Sequence, residues 1–172
     1  MKGAEIIMTV VIREYKKEDI FEMIKIWNEV VNDGKAFPQV EELSVEEANK
    51  FFADQSFCAV AEIDSEVVGL YILHPNNIGR CGHIANSSYA VKSSKRGNNI
   101  GEKLVRHSLE KAKELGFRIM QFNAVVSSNK GAIHLYEKIG FEKVGVVKKG
   151  FLNKDNKYED IILFYYDVEE NL

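Results

Sequence analysis

The chain has 172 residues, of which 45% are hydrophobic and 28% charged, the composition of one ordinary globular domain and far from that of a disordered or fibrous chain. Its 23 Lys and Arg against 26 Asp and Glu leave a net charge of -3, so nothing electrostatic points to a nucleic acid or an anionic membrane as partner. The two cysteines, Cys58 and Cys81, are too few for a disulfide framework and lack a zinc-type neighbourhood, so both are expected as small buried hydrophobes and no metal is expected.

In chain order, the apolar stretch at the N-terminus soon breaks into charge, too short for a signal peptide or a membrane span; a single cytoplasmic domain over residues 1–172 is the expectation. After a strand at about Thr9 to Arg13, Ile20, Ile24, Trp27 and Val31 recur at helical spacing until Asn32-Asp33-Gly34 ends the helix. Ser44 and Glu47 have capping-box spacing for a second helix reaching about Asp54. Ser56 to Ile63 and Val67 to Leu73 read as antiparallel strands joined by Asp64-Ser65-Glu66, and His83 to Lys92 as a third. A polar loop then leads into a helix with Ile100, Leu104, Val105, Leu109, Ala112 and Leu115 on one face, stopped by Gly116. A strand from Arg118 to Val126, a helix from Asn129 to Ile139 closed by Gly140, and strands at about Phe141 to Lys148 and Tyr158 to Val168 complete the chain. The order β-α-α-β-β-β-α-β-α-β-β predicts an α+β (α/β) fold, a mixed sheet with helices packed on it.

Two stretches carry chemistry. In the first, the strand Tyr89-Ala90-Val91 passes through Lys95-Arg96-Gly97-Asn98-Asn99 into the helix beginning Ile100-Gly101. A Gly- and Asn-rich loop at a helix N-terminus aims unpaired backbone N–H groups at one point, where the helix dipole also favours negative charge. That suits a pyrophosphate, with Lys95 and Arg96 beside it, although an ordinary polar loop has the same local pattern, and neither a Walker loop nor a dinucleotide fingerprint is present. The second stretch is Asn129 to Phe141: Asn129 is either a helix cap or a ligand for a carbonyl or hydroxyl, and Tyr136 is either core filler or a proton donor to a thiolate.

Together the two stretches resemble the GNAT N-acetyltransferases, over nearly the whole chain and most sharply from Tyr89 to Gly145. Arg96 to Gly101 is similar to the family's pyrophosphate loop, Gln/Arg-x-x-Gly-x-Gly/Ala, and Asn129, Ala132, Tyr136, Lys138, Gly140 and Phe141 match its Asn-x-x-Ala-x-x-x-Tyr-x-Lys-x-Gly-Phe motif. Asn99 departs from the family's usual glycine; asparagine tolerates a left-handed backbone, so the loop is expected to keep its shape. The resemblance implies a mostly antiparallel sheet splayed between the Ile84–Val91 and Arg118–Val126 strands, with acetyl-CoA as co-substrate and no metal. Pantetheine would pair with the backbone of Tyr89, Ala90 and Val91, and a backbone N–H there would polarise the acetyl carbonyl. The diphosphate would meet Arg96, Gly97, Asn98, Asn99, Ile100 and Gly101, with Asn129 and Tyr136 completing the cofactor site and Tyr136 protonating the departing sulfur.

The strand before the loop has no carboxylate, where many relatives place a glutamate base. A closer resemblance, to fungal N-acetyltransferases of proline analogues, rests on Pro75-Asn76-Asn77-Ile78-Gly79-Arg80-Cys81 followed by Asn86, Asn123 and Asn129. It implies a small amino or imino acid as acceptor, positioned by Asn86 and Asn123; a protein N-terminal acetyltransferase and a non-catalytic acyl-CoA-binding regulator are the alternatives. The base is left open between water, His83 and another group. Phe37, between the first two helices, either walls the acceptor pocket or pins an ordinary solvent loop. Ile161 to Tyr166 is either a homodimer edge or an element buried within the monomer.

Overall fold

A computed structural model describes residues 9–172. Its elements are β1 Val11–Glu14, α1 Ile20–Asp33, α2 Val45–Ala53, β2 Phe57–Ile63, β3 Glu66–Pro75, β4 Ile84–Val91, α3 Ile100–Glu114, β5 Ile119–Val126, α4 Lys130–Ile139, β6 Glu142–Leu152, β7 Tyr158–Asp167 and the short α5 Val168–Asn171. The predicted order is recovered; the additions are α5 and three single 3-10 turns at 17–19, 79–81 and 93–95.

Local chemistry sets the boundaries. Gly34 ends α1 in the left-handed region at φ 61°. Ser44 Oγ accepts the Glu47 amide at 3.3 Å while the Glu47 carboxylate accepts the Ser44 amide at 2.9 Å, the reciprocal cap that starts α2. The hairpin between β2 and β3 turns on two left-handed residues, Asp64 (φ 49°) and Ser65 (φ 65°), so Glu66 already belongs to β3. In front of α1, Asp19 accepts from both terminal guanidinium nitrogens of Arg13, at 2.7 and 2.9 Å, and from the Lys16 amide at 2.7 Å.

The strands form one sheet in the order β1-β2-β3-β4-β5-β7-β6, antiparallel everywhere except between β4 and β5. Helices cover both faces, as expected for a mixed sheet. Leu104, Val105 and Leu109 of α3 and Ile133 of α4 pack against Tyr71, Leu73, Met120 and Phe164. On the other face, Met23, Ile26 and Trp27 of α1 and Phe52 of α2 pack against Val60, Leu70 and Ile72.

Two expectations are resolved here. Ile161 to Tyr166 lies on β7, between β5 and β6, with Ile162, Phe164 and Tyr166 buried; the edge on this side of the sheet is β6, where Val144, Val146 and Val147 are exposed. Cys58 is buried, and its thiol is pushed up to about 12 by burial, but Cys81 is exposed on the turn before β4 and is no core residue.

Candidate functional site

The site begins where the sheet fails to close. β4 and β5 pair only at Ile84 with Ile119 and Ala85 with Met120, and beyond these the two strands part. The backbone parity of β4 follows from its ladder with β3: the Lys92 amide reaches Val68 O at 2.8 Å, so the amides of Ser88 and Ala90 also face β3. Those of Ser87, Tyr89 and Val91 therefore face the opening. Asn86 Oδ1 accepts the Ser87 amide at 2.8 Å, which leaves Tyr89 and Val91 presenting donors to the gap.

The opening leads into two adjoining parts of a cleft that share some of their lining. A part of about 440 Å³ reaches through the sheet between the α1–α2 loop and α4, and a part of about 870 Å³ runs outward between the N-termini of α3 and α4. Tyr89, Gly101, Asn129, Ala132 and Leu135 border both. At the outer end Gly97 (φ 85°) and Asn99 (φ 58°) take left-handed backbone and turn the chain into α3, and no side chain caps that helix. Asn99 thus keeps the loop shape expected of glycine, and the first amides of α3 remain available to an anion.

The loop residues divide by what they present. Arg96, Gly97, Asn99, Ile100 and Gly101 border the outer cleft, Ile100 while otherwise buried. Asn98 is not a lining residue; its Nδ2 donates to Lys95 O at 2.9 Å and holds the turn. The Lys95 ammonium lies 3.3 Å from Glu66. Glu102, which the sequence reading missed, also borders this part, its carboxylate held below the usual range by Lys138 at 2.6 Å and then by Arg106. One carboxylate between two cations leaves this wall net positive.

α4 brings Asn129 and Tyr136 to the cleft. Asn129 Oδ1 caps the helix on the Ala132 amide at 3.2 Å, so its helix-cap role is real, and the residue still lines both parts. The Tyr136 ring sits among aromatics, 4.6 Å from Phe122, 5.6 Å from Phe141 and 6.5 Å from Tyr89 between centroids. Burial first, and then the neighbouring Tyr89 phenol, push its hydroxyl well above the ordinary tyrosine range, so it stays protonated. Burial also pushes Tyr89 up, to about 12, against the hydrogen bond it shares with Ser108 Oγ at 2.7 Å. Among the described residues the Tyr136 hydroxyl has no hydrogen-bond partner.

At the inner end the two predicted acceptor-positioning asparagines come together. Asn86 Nδ2 donates to Asn76 Oδ1 at 3.4 Å, and Asn76 and Asn123 exchange amide bonds, with Asn123 Nδ2 at 2.5 Å from Asn76 Oδ1 and Asn76 Nδ2 at 3.3 Å from Asn123 Oδ1. Phe37 reconciles its two readings, since it packs tilted against Trp27, ring centroids 4.3 Å apart, and lines the inner cleft. Gln39, Gln55 and His74 line it as well, none of them singled out in the sequence. His83 does not: it is exposed at the closed end of β4, where its carbonyl accepts the Arg118 amide at 3.0 Å, about 20 Å of strand from Tyr89. Among the described residues no group of three or more His, Cys, Asp or Glu is placed to hold a metal ion.

Comparison with known proteins agrees with this geometry. The sequence model described as "Acetyltransferase (GNAT) family" matches residues 7–141. The N-acetyltransferase aca1 of Schizosaccharomyces pombe is 29% identical over 171 residues, covering 87% of this chain and 81% of its own. An N-alpha-acetyltransferase of Sulfurisphaera tokodaii is 33% identical over 110 residues, 58% of this chain and 64% of its own. The solved structure of a GCN5-related N-acetyltransferase from Kribbella flavida superposes with a TM-score of 0.86 at 28% identity, over 92% of this chain and 97% of that one.

Proposed function

The chain belongs to the acetyltransferase (GNAT) family and is an acetyl-CoA-dependent N-acetyltransferase, and from that premise we propose that its acceptor is the amine of a small molecule, an amino or imino acid or an analogue of one. The amide cluster carries this reading. Asn76 and Asn123 each give one N–H to the other and Asn86 gives one to Asn76, so each amide nitrogen retains a second N–H. Asn86 and Asn123, tied together by Asn76, line a cleft of about 440 Å³, and two neutral donors there suit a carboxylate or carbonyl oxygen of a compact acceptor. Phe37, packed against the buried Trp27, closes the α1 side of that volume.

The cofactor residues fit acetyl-CoA by what they offer. The left-handed turn from Gly97 to Asn99 and the uncapped start of α3 hold the diphosphate, with Arg96 beside it. The Tyr89 and Val91 amides bind the extended pantetheine as an added strand would, and one of them stabilises the oxyanion of the tetrahedral intermediate. Gly101, Ile100 and Asn129 border its path, Tyr136 donates a proton to the leaving sulfur, and the buried Ala90, its amide turned to β3, makes none of the pantetheine bonds.

Thiol release from acetyl-CoA across a panel of acceptors tests this. Turnover of azetidine-2-carboxylate, proline, phosphinothricin or related amines is the expected result. Turnover confined to peptides would refute the small-acceptor reading and favour a protein N-terminal acceptor; one relative, of Sulfurisphaera tokodaii, is named an N-alpha-acetyltransferase.

A further inference from the structure

Amines arrive at neutral pH as ammonium ions, and the inner cleft contains no carboxylate to deprotonate them. Side chains reach it from the loop after α1, the end of α2, β3, β4, α3, β5 and α4. The titratable ones among all of these are His74, Tyr89 and Tyr136, with no Asp, Glu, Lys or Arg. Burial keeps both phenols protonated, so they are proton donors.

His74 is half-buried on β3, directly opposite Asn86 in the β3–β4 ladder, and opposed residues project from the same face of a sheet. Its Nδ1 lies 2.9 Å from Pro75 O. A carbonyl oxygen can only accept, so Nδ1 carries the hydrogen, and the neutral ring then has its lone pair on Nε2. The remaining histidines are elsewhere: His83 at the closed end of β4, His107 bonded through Nδ1 to the Tyr71 hydroxyl at 2.9 Å, and His134 on the outer cleft.

From this geometry we propose that His74 is the general base, its Nε2 taking a proton from the acceptor ammonium directly or through one water. The inference rests on the reading of the inner cleft as the site of a small amine acceptor. The ammonium gives its first proton to His74, and the freed nitrogen attacks the thioester carbonyl carbon. As the carbon–sulfur bond breaks, Tyr136 protonates the sulfur, and the second proton on nitrogen restores the phenol. His74 returns its proton to solvent, so each turnover yields amide, CoA thiol and one proton. The base thus comes from the strand that pairs with β4, and His83 has no part in the step.

The experiment is a pair of pH profiles of kcat/KM, for the wild type and His74→Gln, with two acceptors: an amino acid, and an alkoxyamine that is already unprotonated at neutral pH. With the amino acid, His74→Gln is expected to lower kcat/KM about a hundredfold and abolish the acidic limb. With the alkoxyamine the loss is expected to be only a few-fold, and acetyl-CoA affinity by calorimetry unchanged. Equal losses on both acceptors, or an unchanged acidic limb, would overturn the assignment. If the variant does not fold, the wild type labelled with carbon-13 at the imidazoles supplies the test: the His74 resonance must titrate with the acidic limb, and a mismatch overturns the proposal. A wild type that turns over no small amine overturns the acceptor reading and His74 with it; normal wild-type turnover alongside a fully active His74→Gln overturns His74 alone.

Discussion

Gly101→Ala separates the cleft's role as the cofactor channel from its role in the fold. A Cβ built at Gly101 would sit 3.5 Å from Leu135 Cδ2, an ordinary van der Waals distance, so the unliganded protein has room for the methyl group. Alanine in place of a helical glycine contributes roughly 0.5–1 kcal/mol of stability, which for a domain of this size raises the melting temperature by about 2 °C. The same methyl projects between the N-terminus of α3 and Leu135, and both residues border the inner and outer parts of the cleft. A close-fitting ligand that must accommodate an added methyl loses about 1–3 kcal/mol, a weakening of CoA binding by roughly five- to 150-fold. Thermal melts of the free protein and calorimetric titration with CoA measure the two effects. We expect them to move in opposite directions: a more stable protein that binds CoA more weakly. A variant with unchanged CoA affinity would show that the chain of the cofactor does not pass Gly101, and a destabilised free protein would show that the methyl is not accommodated as this packing implies.

Tyr136→Phe should reduce kcat by about a hundredfold while leaving acetyl-CoA affinity within a few-fold and stability within about 0.5 kcal/mol, because the hydroxyl has no partner among the described residues; undiminished turnover removes Tyr136 from the reaction. Asp19→Asn should cost about 2 kcal/mol at neutral pH, the hydrogen bonds to Arg13 being charge-assisted and one partner buried. The Asp19 carboxyl is held below its usual range, first by those bonds to Arg13, so its stabilisation is complete above the unfolded-state pKa of about 4 and fades as pH falls through the lower folded value. Urea unfolding at several pH values should therefore show the gap between wild type and variant closing in acid, and a gap independent of pH would refute the assignment.

What the sequence made legible follows the range of the interactions involved. The Ser44–Glu47 cap, the left-handed Asn99 and the Asn129 cap each depend on residues within three positions of one another, and each forms as read. The pyrophosphate turn is equally local, and so is the alignment of Tyr136 two turns up the same face from Asn129. The residues that were missed acquire meaning only from strand register and sheet order. His74 meets Asn86 through the antiparallel β3–β4 pairing, and Asn76, in the turn after β3, reaches Asn123 of β5 across 47 positions. Ile161 to Tyr166 resolved as core only because β7 precedes β6 across the sheet, an inversion of chain order that hydrophobicity along the strand does not encode. Phe37 was undecidable for a different reason: one ring both packs against Trp27 and faces the cleft, so its two readings were never exclusive.

The binding site is in this sense a set of hydrogen bonds that the sheet declines to make. Two paired positions hold β4 against β5, and from Asn86 onward each strand keeps its outer partner while its inner edge opens to the cleft. An unpaired amide buried away from water costs about 1–3 kcal/mol, so the arrangement is stable without ligand only because the cleft admits solvent, and the cofactor backbone then replaces that solvent. Alternation along β4 makes the consequence specific. Amides of Ser88 and Ala90, bonded to β3, should exchange slowly with deuterium whether or not CoA is present, whereas those of Tyr89 and Val91 should exchange fast in the free protein and become protected on binding. Ser87, held by Asn86 Oδ1, should fall between the two groups. Residue-resolved exchange by NMR reads this odd–even pattern directly. Uniform protection along β4 in the free protein would mean that the gap is closed in solution, and protection by CoA of the even-numbered amides alone would place the cofactor on the wrong side of the strand.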